Sequence, residues 1–155
     1  MANAIHVGIA VRRVIVALWV GSLWTVGYLV APTLFISLSD TVLAGTVAGK
    51  IFRVEAWFCV VMALLVAGLS WKTEAEVGIR KSSMILISAM LACTILGYFY
   101  LQPFMAALRA SAPSGVLAGS ARLQFGMLHG VASGLYLVES LLGLYLLFTE
   151  SARAR

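Results

Sequence analysis

Between Val14 and Ile36 the chain runs for 23 residues without a charged side chain. As a helix this stretch rises about 35 Å, enough to cross a hydrocarbon core of ~30 Å. Three further apolar stretches follow, at about 54–71, 84–108 and 123–149. In hydrocarbon every backbone N–H and C=O must be bonded within the protein, which leaves helices or a closed barrel. Four segments are too few to close a barrel. The pattern predicts an all-α fold, a four-helix transmembrane bundle forming one integral membrane domain over 1–155. Arg12-Arg13 before the first stretch imitates a signal peptide, but the stretch is too long for an h-region and lacks a small-x-small cleavage site, so it reads as a retained helix.

Composition agrees. Hydrophobic residues make up 62% of the chain and charged residues 11%, where a soluble domain would be about a quarter charged. So little polar side chain cannot cover a water-facing surface. The net charge of +5 is scattered rather than gathered in a run, which argues against nucleic acid and for flanking charge on a membrane protein. Arg12, Arg13, Lys72, Arg80, Lys81, Arg153 and Arg155 fall on one side of the spans, and Lys50, Arg53, Arg109 and Arg122 on the other. The richer side is expected to be cytoplasmic, with both termini inside. Cys59 and Cys93 lie within apolar stretches without CxxC or Cys/His spacing, and read as buried free thiols.

The chain reads as a duplicated hairpin. "GYLVAPTLFISLSDTVLAGTVAGKIF" (27–52) and "GYFYLQPFMAALRASAPSGVLAGSARLQF" (97–125) share, in order, Gly-Tyr, a proline, a phenylalanine, a serine-rich break, Val-Leu-Ala-Gly, a basic residue and Phe. Pro32 and Pro103 fit the ends of the odd spans, where helix hydrogen bonds finish. Ser39-Asp40 and Ser114 fit N-caps, starting the even helices near Thr41 and Gly115. Leu43, Val47, Ile51 and Val54 form an apolar stripe, and Gly45 and Gly49 a small-xxx-small face suited to close packing.

Glu139 is the sharpest chemical signal: a carboxyl in the middle of the fourth span, with no cation at matching depth. An ionised side chain there costs about 2.5–3.5 kcal/mol on insertion scales. The acid is therefore expected to face the bundle interior, mostly protonated. Thr25 and Thr94 lie at its depth, with Tyr28 and Tyr98 one turn outward; Tyr136 and Ser140 are its helical neighbours. This candidate intramembrane site serves either as polar glue between helices or as a proton or cation site. A second candidate lies at the outer face. Gly126, His129, Ser133, Tyr136 and Ser140 share a helical stripe. Glu55 falls near the position of His129 in the internal repeat, which suggests a Glu55–His129 contact; with Lys50 and Arg53 it reads instead as an ordinary interfacial charge cluster. Met105, Met127 and His129 raise a copper site, but Met127 and His129, two residues apart, point different ways on a helix. Trp19, Trp24, Trp57 and Trp71 read as packing or interfacial anchors. No catalytic constellation, phosphate loop or metal-ligand set is visible, and no cofactor is expected.

"LWVGSLWTVGYLVAPTLF" (18–35), "AGTVAGKIF" (44–52), "YLQPFMAALR" (100–109) and "FGMLHG" with Ser133 resemble a bacterial membrane family defined only as a domain of unknown function, kin to eukaryotic transmembrane protein 205-like proteins. The resemblance rests on Trp19, Gly21, Ala31-Pro32, Phe35, Gly45, Gly49, Phe52, Gln102-Pro103, Phe125, His129 and Gly130. It departs from the pattern at Ala132, where a serine is expected and Ser133 comes one residue late. It implies a four-helix inner-membrane protein; the association of the eukaryotic relatives with platinum-drug resistance hints at export or trafficking. Three roles follow. One is a non-enzymatic, oligomeric bundle that handles a small solute or proton through Glu139. Another is a haem, quinone or copper protein using His129, and the third is a structural or assembly factor. The expected partners are the bilayer and further copies of the chain.

Overall fold

The computed structural model describes residues 2–73, 77–112 and 116–152. Its helices are α1 (Ala2–Trp24), α2 (Ala31–Ser37), α3 (Thr41–Thr73), α4 (Val77–Thr94), α5 (Leu101–Ala110) and α6 (Gly119–Ala152). A π-helical turn joins α1 to α2 (Thr25–Val30) and another joins α4 to α5 (Ile95–Tyr100). The chain thus crosses four times, by His6–Ser37, Thr41–Lys72, Arg80–Ala110 and Gly119–Glu150, each long and apolar enough to span a membrane. No strand occurs among the described residues. The outward faces carry Leu18, Leu29, Leu64, Ile85, Val131 and Phe148, all exposed. A surface this apolar needs lipid as its solvent. This is a multi-pass membrane protein.

α1 and α4 each pack against both α3 and α6, so sequential antiparallel helices ring the bundle. Its two halves differ. Toward the end that carries the termini, Val16, Trp19 and Leu23 of α1 interlock with Cys59, Ala63 and Val66 of α3, Ile87 and Met90 of α4 and Leu146 of α6. A Cβ on Gly143 would lie 3.0 Å from Met90 Cε and 3.2 Å from Val20 Cγ2, so α6 approaches as closely as it does because this residue lacks one. At the tip of that half the buried Arg12 guanidinium pairs with the buried Glu150 carboxylate and donates to Ser83 Oγ at 3.4 Å. Arg12 is therefore part of the helix packing rather than a free flanking charge.

The far half departs from expectation in three ways. The prolines do not end the odd spans. Each follows a π turn, where the Ala31 N–H bonds Val26 O and the Leu101 N–H bonds Leu96 O, five residues back. Widening the helix this way accommodates the missing N–H and the bulk of the pyrrolidine ring, and the helix runs on to Ser37 or Ala110. The two π turns, TVGYLV and ILGYFY, hold Gly-Tyr at the same two positions, as a duplicated hairpin requires. Second, the even helices start differently. Asp40 caps α3 as expected, its Oδ1 accepting the N–H groups of Val42 (2.8 Å) and Leu43 (3.1 Å). Ser114 and Gly115 lie outside the described residues, as do Arg153 and Arg155, and α6 begins at Gly119 with a left-handed φ of +55°. Val-Leu-Ala-Gly is therefore helical at 42–45, while at 116–119 it runs outside the helix up to that glycine. Third, the face bearing Gly45 and Gly49 is not closed by a neighbouring helix. The nearest atoms to a Cβ on each are the Arg109 guanidinium (3.7 Å) and the Gln102 amide (3.6 Å).

Candidate functional site

Those small residues leave a cavity of about 520 Å³ between the two hairpins in the far half of the bundle. Its walls are mainly apolar: Ala31, Pro32 and Phe35 of α2, Ala48 and Phe52 of α3, Met105 of α5 and Ala132 of α6. Tyr28 and Tyr98, the tyrosines of the two π turns, both line it. Its floor is polar, where it meets the packed half.

Two carboxyls form that floor. Glu139 of α6 is 2% exposed and Glu55 of α3 is 6% exposed. The Thr94 hydroxyl on α4 donates to Glu139 Oε1 at 2.7 Å, and the Ser22 hydroxyl on α1 donates to Glu55 Oε1 at 2.9 Å. Each acid thus takes its partner from the preceding long helix of its own hairpin. Each hydroxyl also has a backbone carbonyl in reach, Met90 O at 3.3 Å for Thr94 and Trp19 O at 2.8 Å for Ser22. A hydroxyl has one proton. If it serves the carbonyl, the carboxyl must be neutral and donate to the hydroxyl oxygen; if it serves the carboxylate, the carbonyl gives it up. Both floor acids therefore have a partner in either protonation state. The Cys59 thiol sits between them, donating to Glu55 Oε1 at 3.7 Å and facing Glu139.

The rim lies nearer the far end. The Arg109 guanidinium sits 4.6 Å over the Phe125 ring, and His129 stacks on the same ring with centroids 5.9 Å apart. Arg109, His129, Ser133 and Gln102 all line the cavity.

The Glu139–Thr94 pairing follows the depth matching of the sequence. Thr25 does not join it. That residue has the right depth but an exposed face, and the first hairpin supplies Ser22 one turn earlier, to Glu55 rather than Glu139. Tyr136 lines the cavity and donates from its hydroxyl to Leu23 O at 2.7 Å. Ser140 is buried behind it, donating to Tyr136 O at 2.8 Å. Glu55 and His129 line the same cavity, but they bond and stack with other partners rather than with each other. Met127 is 65% exposed and does not line the cavity that Met105 and His129 line, so the three are not gathered there. No metal-ligating group of three His, Cys, Asp or Glu occurs among the described residues. Ser22, Cys59, Gln102 and Arg109 belong to the site without having been singled out for it. Arg109 carried one signal, a charge placed directly after an apolar span, and Gln102 another, its place beside Pro103 in the stretch that resembles the family.

A family model described as a domain of unknown function, DUF4149, matches residues 14–114. The chain belongs to that family. The part matched to DUF4149 includes Ser22, Glu55, Cys59, Thr94 and Arg109, and it ends before α6, which carries His129 and Glu139. No curated protein and no solved structure matches the chain.

Proposed function

We propose that this DUF4149 protein is a non-enzymatic solute-binding protein of the bacterial inner membrane, kin to transmembrane protein 205-like proteins, that holds a small molecule in its cavity and exchanges protons through Glu139 and Glu55. One observation carries the reading: two buried carboxyls face one apolar cavity, each hydrogen-bonded through a hydroxyl that suits either protonation state. A structural role alone asks for neither the cavity nor the second acid. A packed bundle would put large side chains at Gly45, Ala48 and Gly49, since filling such a space stabilises. The excess of Lys and Arg on the terminal side supports cytoplasmic termini, so the cavity mouth faces the periplasm.

The test is Glu139→Gln. The amide oxygen still accepts the Thr94 hydroxyl, so the variant is expected in the membrane at wild-type abundance. A solute that raises the melting temperature of the purified wild-type protein should no longer do so. Retention of the full ligand-induced shift by a folded Glu139→Gln protein would overturn the reading.

A further inference from the structure

We infer that the cavity binds a lipid-soluble organic cation, a class that deepens, and rests on, the solute-binding reading above. The electrostatic asymmetry of the cavity carries the inference. Its floor holds Glu55 and Glu139, with hydroxyls and a thiol as their hydrogen-bond partners and no cation among them. The basic groups lining it, Arg109 and His129, stand at the rim against the Phe125 ring. A ligand reaching the floor meets acid and no base.

The walls narrow the class further. Tyr28, Phe52 and Tyr136 form one aromatic cluster lining the cavity, with Phe52 edge-on to Tyr136 at 5.4 Å and Tyr28 at 6.2 Å from it. Ring faces attract a cation, most of all a weakly hydrated one. A bare alkali or alkaline-earth ion would lose its hydration shell here and needs six or more oxygens to replace it. The floor has too few, and no metal-ligating group occurs among the described residues. An organic cation brings its own apolar shell to match the walls. The cavity volume lies within the ~300–1,000 Å³ range that holds drug-sized molecules.

The experiment is equilibrium binding to the full chain purified in detergent. The probes are tetraphenylphosphonium, its near-isosteric anion tetraphenylborate, and neutral triphenylphosphine oxide. Wild-type protein is expected to bind the phosphonium at least about tenfold more tightly than either of the others. Glu139→Gln and Glu55→Gln should each weaken that binding by about tenfold or more while their melting temperatures stay at or above wild type. If the borate or the phosphine oxide binds as tightly as the phosphonium and Glu139→Gln abolishes it, the cation class is wrong and the cavity remains the site. If the phosphonium binds equally to wild type and to a folded double variant, the carboxyls are not its contacts and the inference falls. If no probe binds above its partition into empty micelles, the inference falls, while the solute-binding reading stands or falls on its own melting-shift test.

Discussion

Glu55 illustrates how two neighbours on a helix come to different ends. Arg53 and Glu55 are two residues apart, about 200° around the axis, so one reaches the surface while the other enters the bundle. Read along the sequence, Lys50, Arg53 and Glu55 form an ordinary charge cluster. Depth is legible from residue counts, but the face is not, because each span is apolar nearly all round and no stripe marks its inward side. The same ambiguity separates Thr25 from Ser22. Glu139 escaped it only because a lone acid in mid-span has one tolerable direction. At the other end of the bundle the buried Arg12–Glu150 pair gives a residue-scale prediction. Arg12→Ala removes the guanidinium from a buried carboxylate, a change that costs about 3–5 kcal/mol. Replacing both residues by leucine should recover most of that loss, since the apolar pair needs no compensating charge. Melting curves of the three proteins in one detergent decide it. A single variant as stable as wild type would show that the pair contributes nothing.

At the scale of the element, the four spans and the Asp40 cap were open to inspection because hydropathy and capping chemistry are local. The π turns were not. A proline after an apolar run reads equally well as a terminator or as the exit from a widened turn, and the choice depends on whether neighbouring helices support the chain beyond it. Here α3 and α6 supply that support. The first π turn also shows why its glycine is there. A Cβ on Gly27 would run into the Tyr136 ring, whose hydroxyl bonds Leu23 O. Gly27→Ala should therefore destabilise by about 1–3 kcal/mol through overpacking. Its effect should shrink when Tyr136 is also replaced by alanine, so the double mutant is less than additive. Strict additivity would mean that the two residues do not press on one another. Gly97 stands in looser surroundings, 3.7 Å from Leu135 Cβ, so Gly97→Ala should cost well under half as much.

The whole molecule is a bundle closed at one end and open at the other, and its meaning depends on which end faces the cytoplasm. The count of basic residues favours the terminal end. Burial of Arg12 with Glu150 weakens that count by one, and Arg80, stacked 4.7 Å over the Trp71 ring, stays at the same end. Six basic residues then remain against four. With the termini cytoplasmic, as proposed, the cavity opens away from the cytoplasm with its acids at the bottom, an arrangement that suits capture from outside or release toward it. The opposite orientation would make the same cavity a cytoplasmic one. The expected outcome is specific. In a Cys59→Ala, Cys93→Ala background, Ser39→Cys sits in the exposed turn between α2 and α3, and Ser82→Cys on an exposed face of α4 near its start. A membrane-impermeant maleimide should label Ser39→Cys in intact spheroplasts and Ser82→Cys only after the membrane is opened. Labelling in the reverse order would turn the molecule over, and the site would then face a cytoplasmic ligand. Labelling of both positions in intact spheroplasts would mean that the chain inserts in both directions, as a small bundle with so slight a charge bias is able to do.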